Sequence, residues 1–352
     1  MISKHSHSQG WIMRVRETAF GKDPILIEKM IMALTLLENL RSSGLDFVFK
    51  GGTALILLLK TPRRFSIDVD ILLSNDQNLE SHFQRVIEQG VFHRYEENRR
   101  AGELPKAHYK FFFHSVIQNK ESQVLLDILF EQNPYPQIQV LPIDTPLLAQ
   151  EGEPVTITCP VAECLLGDKL TAFAPRTTGI QYGLGKELEI AKQLFDIGLL
   201  FDIAEELSLV SATFESIAEQ ELVYRGLQGM THQDVLQDTF ETACMIGMRG
   251  AGAPKEYAEL QDGFKKLTAF VYDGTFNVDS AILCAGKTAY LAALLIKKEQ
   301  TTIPRLENTA TLAAWSIANP AYNKLNKLKK TNPEAFFYYF QALEILGIAA
   351  DG

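Results

Sequence analysis

The stretch from Ser66 to Leu73, reading SIDVDILL, constrains this chain more than any other segment. Its alternation predicts a β-strand, because successive side chains on a strand leave opposite faces. Val69 and Ile71 mark the face that meets a core. Asp68 and Asp70 lie two apart and therefore project together from the other. Two carboxylates held side by side repel unless a cation lies between them. Ligands that are all oxygen suit Mg²⁺, or Mn²⁺ in its place, bound through one or two carboxylates and a substrate's own phosphates. The plainer alternative has one aspartate capping a loop and the other facing solvent. A strand inside a domain has little reason to carry both acids on one face for that purpose.

Two further segments bear on the same chemistry. Phe47-Val48-Phe49 predicts a short strand, followed at once by Gly51-Gly52-Thr53 and the helix-like ALILLLK. Backbone N–H groups at a helix start attract phosphate through free donors and the helix dipole. Glycine lets the phosphate approach without a Cβ in the way, and Thr53 adds a hydroxyl. Such a turn also serves simple chain reversal. Asp127 sits in the apolar run Val124–Phe130, where an acid either finds a buried partner or joins a metal site. Were its strand beside that of Asp68, three carboxylates would converge. Two metals there could bridge nucleotide phosphates and activate an acceptor hydroxyl for in-line attack.

The surroundings predict two domains. Asp23-Pro24 reads as an N-cap and first helical position, opening a helix that stops at Gly44. A helix follows near 78–89, then strands near 92–96, 107–116 and 123–131. From Pro160 onward helical periodicity dominates, at 160–174, 187–200, 213–227, 232–248, 256–270 and 279–298. The expected fold class is α+β: a mixed-sheet domain over 1–155 and an all-helical domain over 156–352 that forms the other wall of a cleft.

Composition narrows the function classes. The chain has 352 residues and a net charge of −9. Residues 1–150 hold 17 basic and 17 acidic residues, against 17 and 26 in the remainder, so the excess is C-terminal. Basic segments persist at Arg63-Arg64, at Arg94, Arg99, Arg100, Lys106 and Lys110, and at Lys324, Lys327, Lys329 and Lys330. The start, MISKHSHSQGWIMRVRETAF, has no apolar core of a signal peptide. The longest apolar stretch, 281–296, is interrupted by Lys287 and is short for a bilayer. Four cysteines without a His/Cys cluster read as reduced, buried thiols. The expected setting is cytoplasmic, with no membrane partner. His93, His108 and His114 fall on strands without metal-ligand spacing and read as structural or surface residues. His5 and His7 lie in an N-terminus read as mobile. The segment NKLNKLKKTNPEAFFYYFQALEIL reads as a packed terminal helix with a solvated basic edge.

Gly51-Gly52-Thr53, a spacer, then Arg64-Phe65-Ser66-Ile67-Asp68-Val69-Asp70 resembles the signature of the polymerase-beta-like nucleotidyltransferase superfamily, and within it the AbiEii/AbiGii toxin family. That family carries a second signature, KLxAxxxR, and an acid on a later helix. Here stand Lys169-Leu170-Thr171-Ala172-Phe173-Ala174-Pro175-Arg176 and then Lys192 and Asp196. The resemblance spans about residues 45–200.

The resemblance implies a polymerase-beta-like nucleotidyltransferase domain that moves a nucleoside monophosphate from an NTP to an acceptor. Gly51, Gly52, Thr53 and Ser66 would hold the triphosphate, Asp68 and Asp70 would bind the metal, and Asp127 would assist metal binding or deprotonate the acceptor. Lys169 would contact nucleotide phosphate, and Asp196 would position Lys169 or the acceptor. It also implies the toxin half of a bacterial toxin–antitoxin pair, with tRNA or another RNA as acceptor and a cognate antitoxin as partner. Two rivals remain open: a transferase acting on a small molecule of the aminoglycoside type, and a nucleotide-binding scaffold without catalysis.

Overall fold

The computed structural model describes residues 1–59, 61–74, 78–98, 105–298, 302–306 and 312–349. The basic residues Arg99 and Arg100 lie outside that set. Two compact units emerge: Met1–Val161 together with Ala269–Thr275, and Ala162–Thr268 together with Phe276–Gly352.

The first unit runs α1 (Gln9–Thr18), α2 (Pro24–Ser42), β1 (Val48–Lys50), α3 (Gly51–Leu58), β2 (Asp68–Leu73), α4 (Leu79–Glu88), β3 (Arg94–Glu97), β4 (Lys106–Ser115), β5 (Lys120–Phe130), β6 (Ile138–Pro142) and β7 (Thr156–Pro160). The strands form one sheet in the order β3-β4-β5-β2-β1-β7-β6. It is mixed: β2 runs parallel to β5 and β1 parallel to β7, while the other pairs are antiparallel. The sheet thus continues through β7, beyond the division expected near residue 155.

One face of the sheet carries the core of this unit. Asp23 caps α2 by accepting from the Ile25 N–H, with Pro24 at the first helical position. The helix then buries Ile27, Met30, Ile31, Leu34, Leu36, Leu37 and Leu40 almost completely. It packs against β2 and β5, whose alternate residues Val69, Ile71, Leu126 and Ile128 are no more than 1% exposed. On α4, the Phe83 ring meets Tyr95, Tyr109 and Phe111 edge to face at 4.8–5.2 Å, a geometry that aligns ring edges with ring faces. The intervening positions, Asp68, Asp70, Leu125 and Asp127, are only half-buried and belong to the opposite face.

The N-terminus is packed, contrary to the mobile segment expected. The Ser3 N–H donates to the Ala149 carbonyl at 2.9 Å, Ser6 is fully buried, and His7 Nε2 lies 2.9 Å from Thr35 Oγ1.

The approach to β2 is held by a segment distant in sequence. The Phe65 N–H donates to the Phe270 carbonyl at 2.7 Å, and the Tyr272 N–H to the Arg63 carbonyl at 2.9 Å. Arg64 and Val271 form an isolated antiparallel bridge between them. Phe65 is fully buried, its ring 5.6 Å from that of Tyr272. The strand proper starts at Asp68, so Ser66 precedes it instead of lying on it.

The second unit is helical: α5 (Ala162–Ala172), α6 (Glu187–Ile203), α7 (Leu207–Tyr224), α8 (His232–Gly247), α9 (Pro254–Leu267), α10 (Val278–Lys297), α11 (Leu328–Thr331) and α12 (Pro333–Leu346). The central α10 packs on α6, α8 and α12. It is long and apolar enough to cross a membrane by composition, with a mean hydropathy of 1.4, yet 72% of that window is buried inside the protein. Its charge is answered locally, since Lys287 Nζ donates to Asp202 at 2.6 Å. All four cysteines are free, and burial pushes the Cys159 and Cys284 thiols up to about 12, away from nucleophilic use.

Replacing Phe65 with alanine empties a fully buried ring site beside the returning segment. The expected cost is about 3–5 kcal/mol, read as a lower urea midpoint for the N-terminal unit in the full-length chain. An unchanged midpoint would show that the 270–272 segment does not anchor the approach to β2.

Candidate active site

Strand register assembles the site. Lys50 on β1 pairs with Asp70 on β2, Asp70 pairs with Asp127 on β5, and Asp127 pairs with His108 on β4. Directly opposed residues in a sheet share a face. Lys50, Asp70, Asp127 and His108 therefore form one transverse row across four adjacent strands. Asp68 lies two residues before Asp70, on the same face. The three acids singled out from the sequence are thus brought to one side of the sheet, at its centre.

Each member has a structural reason for its place. The β4–β5 hairpin turns at Asn119, which adopts a left-handed conformation (φ 50°) that asparagine tolerates. That turn fixes the register which sets His108 opposite Asp127. The His108 Nδ1 lies 2.6 Å from Asp127 Oδ1. An ionised carboxylate only accepts, so this ring nitrogen carries the proton. The side chains are 17% and 33% exposed, respectively, so the pair is sheltered while the carboxylate still reaches solvent.

The glycine pair does two different things. Gly51 has φ +78°, and a Cβ there would land on the Asp70 carboxylate, 2.8 Å from its Cγ. Only glycine combines that backbone with that proximity. At Gly52 a Cβ would run into the Arg64 guanidinium, 3.2 Å from Cζ, with Ser66 Oγ at 3.0 Å. The absence of a side chain at Gly52 thus makes room for Arg64, which is 5% exposed and whose Nη1 donates to the Phe65 carbonyl at 3.1 Å. Ser66 is at the site although it lies ahead of the strand.

Helix α3 begins at Gly51 itself, and its N-cap, Lys50, makes no side-chain capping bond. The N-cap side chain thus does not occupy the first-turn N–H groups, which lie where a helix start favours negative charge. Thr53 is turned inward. It is fully buried, and its hydroxyl donates to the Asp68 carbonyl at 2.5 Å. Its side chain ties α3 to the start of β2 and is not turned toward phosphate.

The donor set of this face is oxygen from Asp68, Asp70 and Asp127, the chemistry a hard divalent cation takes. Among the described residues no group of three or more His, Cys, Asp or Glu forms a ready-made metal cage. Mg²⁺ does not need one, since it usually enters through one or two carboxylates and the substrate's phosphates. The residues present fit such an ion.

In the helical unit, Lys169 on α5 and Asp196 on α6 form an ion pair at 3.0 Å, with side chains 9% and 0% exposed. The neighbouring Lys192 pairs with Glu189 at 3.0 Å. Beyond α5, Asp238 accepts from the Arg176 N–H at 2.8 Å and from the Thr177 hydroxyl at 3.0 Å. Burial raises the Asp238 carboxyl above the usual aspartate range, and these hydrogen bonds oppose the shift.

Sequence reasoning read His108 as a structural or surface residue and did not single out Asp238. Asp238 carries no local signal. His108 did carry one, since a hairpin turning at Asn119 counts His108 to Asp127, but the pairing of the two strands was not drawn.

The family described as "Nucleotidyl transferase AbiEii toxin, Type IV TA system" matches residues 35–267, well over half of the chain. No curated protein matches the sequence. Among solved structures, JHP933 from Helicobacter pylori is 15% identical with a TM-score of 0.44, covering 85% of this chain and 94% of that one. A putative nucleotidyltransferase from H. pylori is 17% identical with a TM-score of 0.44, over 77% and 94%. MenT4, a nucleotidyltransferase toxin from Mycobacterium tuberculosis, is 16% identical with a TM-score of 0.42, over 61% and 72%.

The glycine argument is separable by a pair of variants. Gly90 has a similar φ of +81° with nothing within 4 Å of its would-be Cβ. Gly90→Ala should cost only the left-handed backbone penalty, about 1–2 kcal/mol. Gly51→Ala should cost measurably more in chemical denaturation, because it adds the collision with Asp70. Equal costs would remove Asp70 from the account of Gly51.

Proposed function

We propose that this chain, which belongs to the AbiEii nucleotidyl transferase toxin family, transfers a nucleoside monophosphate from an NTP to an RNA acceptor, tRNA being the first choice, with release of pyrophosphate. The observation that carries this reading is the transverse row Lys50–Asp70–Asp127–His108, with Asp68 beside it, next to the N-terminal turn of α3.

The N–H groups of Gly51 and Gly52 hold the triphosphate at the helix start, where the helix dipole favours negative charge. Ser66 adds a hydroxyl from beside Gly52. Asp68, Asp70 and Asp127 hold the divalent ions. When bound, Mg²⁺ or Mn²⁺ neutralises phosphate charge and lowers the pKa of an acceptor hydroxyl. Asp127, between Asp70 and His108 in the row, receives the acceptor's proton. Thr53 keeps β2 against α3 and so holds Asp68 in place. Lys169, aligned by its ion pair with Asp196, offers an N–H donor to a nucleotide phosphate. In a toxin of this family the acceptor is a cellular component whose modification halts growth, a cognate antitoxin limits the damage, and the reaction runs in the cytoplasm.

The test is transfer itself. Full-length protein is incubated with each labelled NTP, Mg²⁺ and bulk tRNA, and the label is followed into RNA, protein and small molecules. Label should enter RNA with one preferred NTP. Asp68→Asn and Asp70→Asn should each lower the rate at least about 10²-fold, the scale set by losing one preorganised electrostatic contact to a transition state. Label entering only a small molecule would move the acceptor to the aminoglycoside class. No transfer to any acceptor, with nucleotide still bound without metal, would leave a scaffold.

A further inference from the structure

We infer that His108 is a positioning residue for Asp127: it fixes the carboxylate so that one oxygen is taken and the other is presented to the metal. The inference rests on the reading of Asp127 as a metal ligand.

Asp70 and Asp127 are directly paired on parallel strands, which places their backbones about 4.8 Å apart. Two carboxylates at that separation repel, and an aspartate left alone relieves the repulsion by turning about its broad, roughly two-fold terminal torsion. Asp127 cannot turn freely, because His108 Nδ1 binds its Oδ1 at 2.6 Å from the side away from Asp70. Oδ2 has no hydrogen-bond partner among the described residues.

The histidine is itself held. Its register opposite Asp127 is set by ten consecutive pairs of the β4–β5 hairpin, and its carbonyl accepts from the Asn98 N–H at 2.6 Å. The ring is mostly buried, at 17% exposure, in keeping with a fixed orientation. Partners that orient a ligand without touching the metal commonly govern 10- to 100-fold of metal affinity or activity.

The geometry of the bond chooses the variants. An asparagine amide nitrogen can occupy the place of Nδ1, whereas the glutamine amide is carried one methylene further. Mn²⁺ binding to the full-length protein, measured by electron paramagnetic resonance of the free ion, is compared for wild type, His108→Ala, His108→Asn and His108→Gln. Circular dichroism of each variant accompanies the titration. The Ala and Gln variants should bind Mn²⁺ about 10- to 100-fold more weakly, and Asn should recover most of the affinity. In the transfer assay the same order should appear chiefly in kcat, with the KM for NTP little changed.

Equal Mn²⁺ affinity in all four folded proteins would overturn the inference while leaving the function standing. Failure of Asn to do better than Gln would also overturn it, since loss would then follow from disturbed packing. Wild type that binds no Mn²⁺, or binds it unchanged after Asp70→Asn, would instead overturn the metal site and His108's part with it.

Discussion

The in-register pairing of β2 with β1 and β5 is the constraint on which the site depends. A slip of one residue in either pairing would send Asp68 and Asp70, or Asp127, to the face packed by α2. That face is filled by Val69, Ile71, Leu126 and Ile128, all essentially inaccessible. Burying a carboxylate there without a partner would cost several kcal/mol. The hydrophobic face therefore enforces the register, and the register places the acids. Core and site are two sides of the same alternation.

Close packing around the first turn of α3 extends this logic. The Asp70 carboxylate lies against Gly51 and the Arg64 guanidinium against Gly52, so the two glycines admit an acid and a base from neighbouring segments into the space a side chain would take. Thr53 and Phe65 complete the arrangement from within: one hydroxyl bond to the Asp68 carbonyl and one buried ring behind the returning segment 269–275. The short path from Arg64 to Asp70 is fixed at both ends, which limits how far the carboxylates can drift when charge arrives.

Much of this was legible in the sequence, and what was not has identifiable causes. SIDVDILL showed a strand with paired acids because the period-2 pattern is local and strong. Asp23-Pro24 showed a helix start because capping chemistry is local too. β6 and β7 were not read, since IQVLP and TITCP are five residues long and each ends in proline, too short for a clear alternation. The helix α1 was not read because it buries only Ile12 and Val15. The return of 269–275 beside Arg64 is a non-local pairing that no window along the chain displays. His108 is the instructive case. Its spacing along β4 says nothing about metals, and its meaning comes from the strand opposite.

The net charge of −9 looks ill suited to nucleotide and RNA, both polyanions, yet whole-chain charge acts mainly through long-range steering, which salt screens beyond about 8–10 Å. What decides binding at a phosphate is the potential over a few ångströms. In the N-terminal unit the groups that favour negative charge are the N–H groups at the start of α3, Lys50 at the end of the transverse row and Arg64 beneath Gly52. The three acids of this face would oppose phosphate if they stood alone. With a divalent ion between them and the phosphates they would instead help to hold it, so the proposed function requires affinity for NTP to rise with the metal rather than with the protein's own charge. The helical unit follows a different rule. Lys169 is neutralised by a fully buried Asp196, and a buried pair of this kind is kept for orientation more readily than for stability. A lysine held in that way has a fixed direction and little free charge with which to attract a polyanion at a distance.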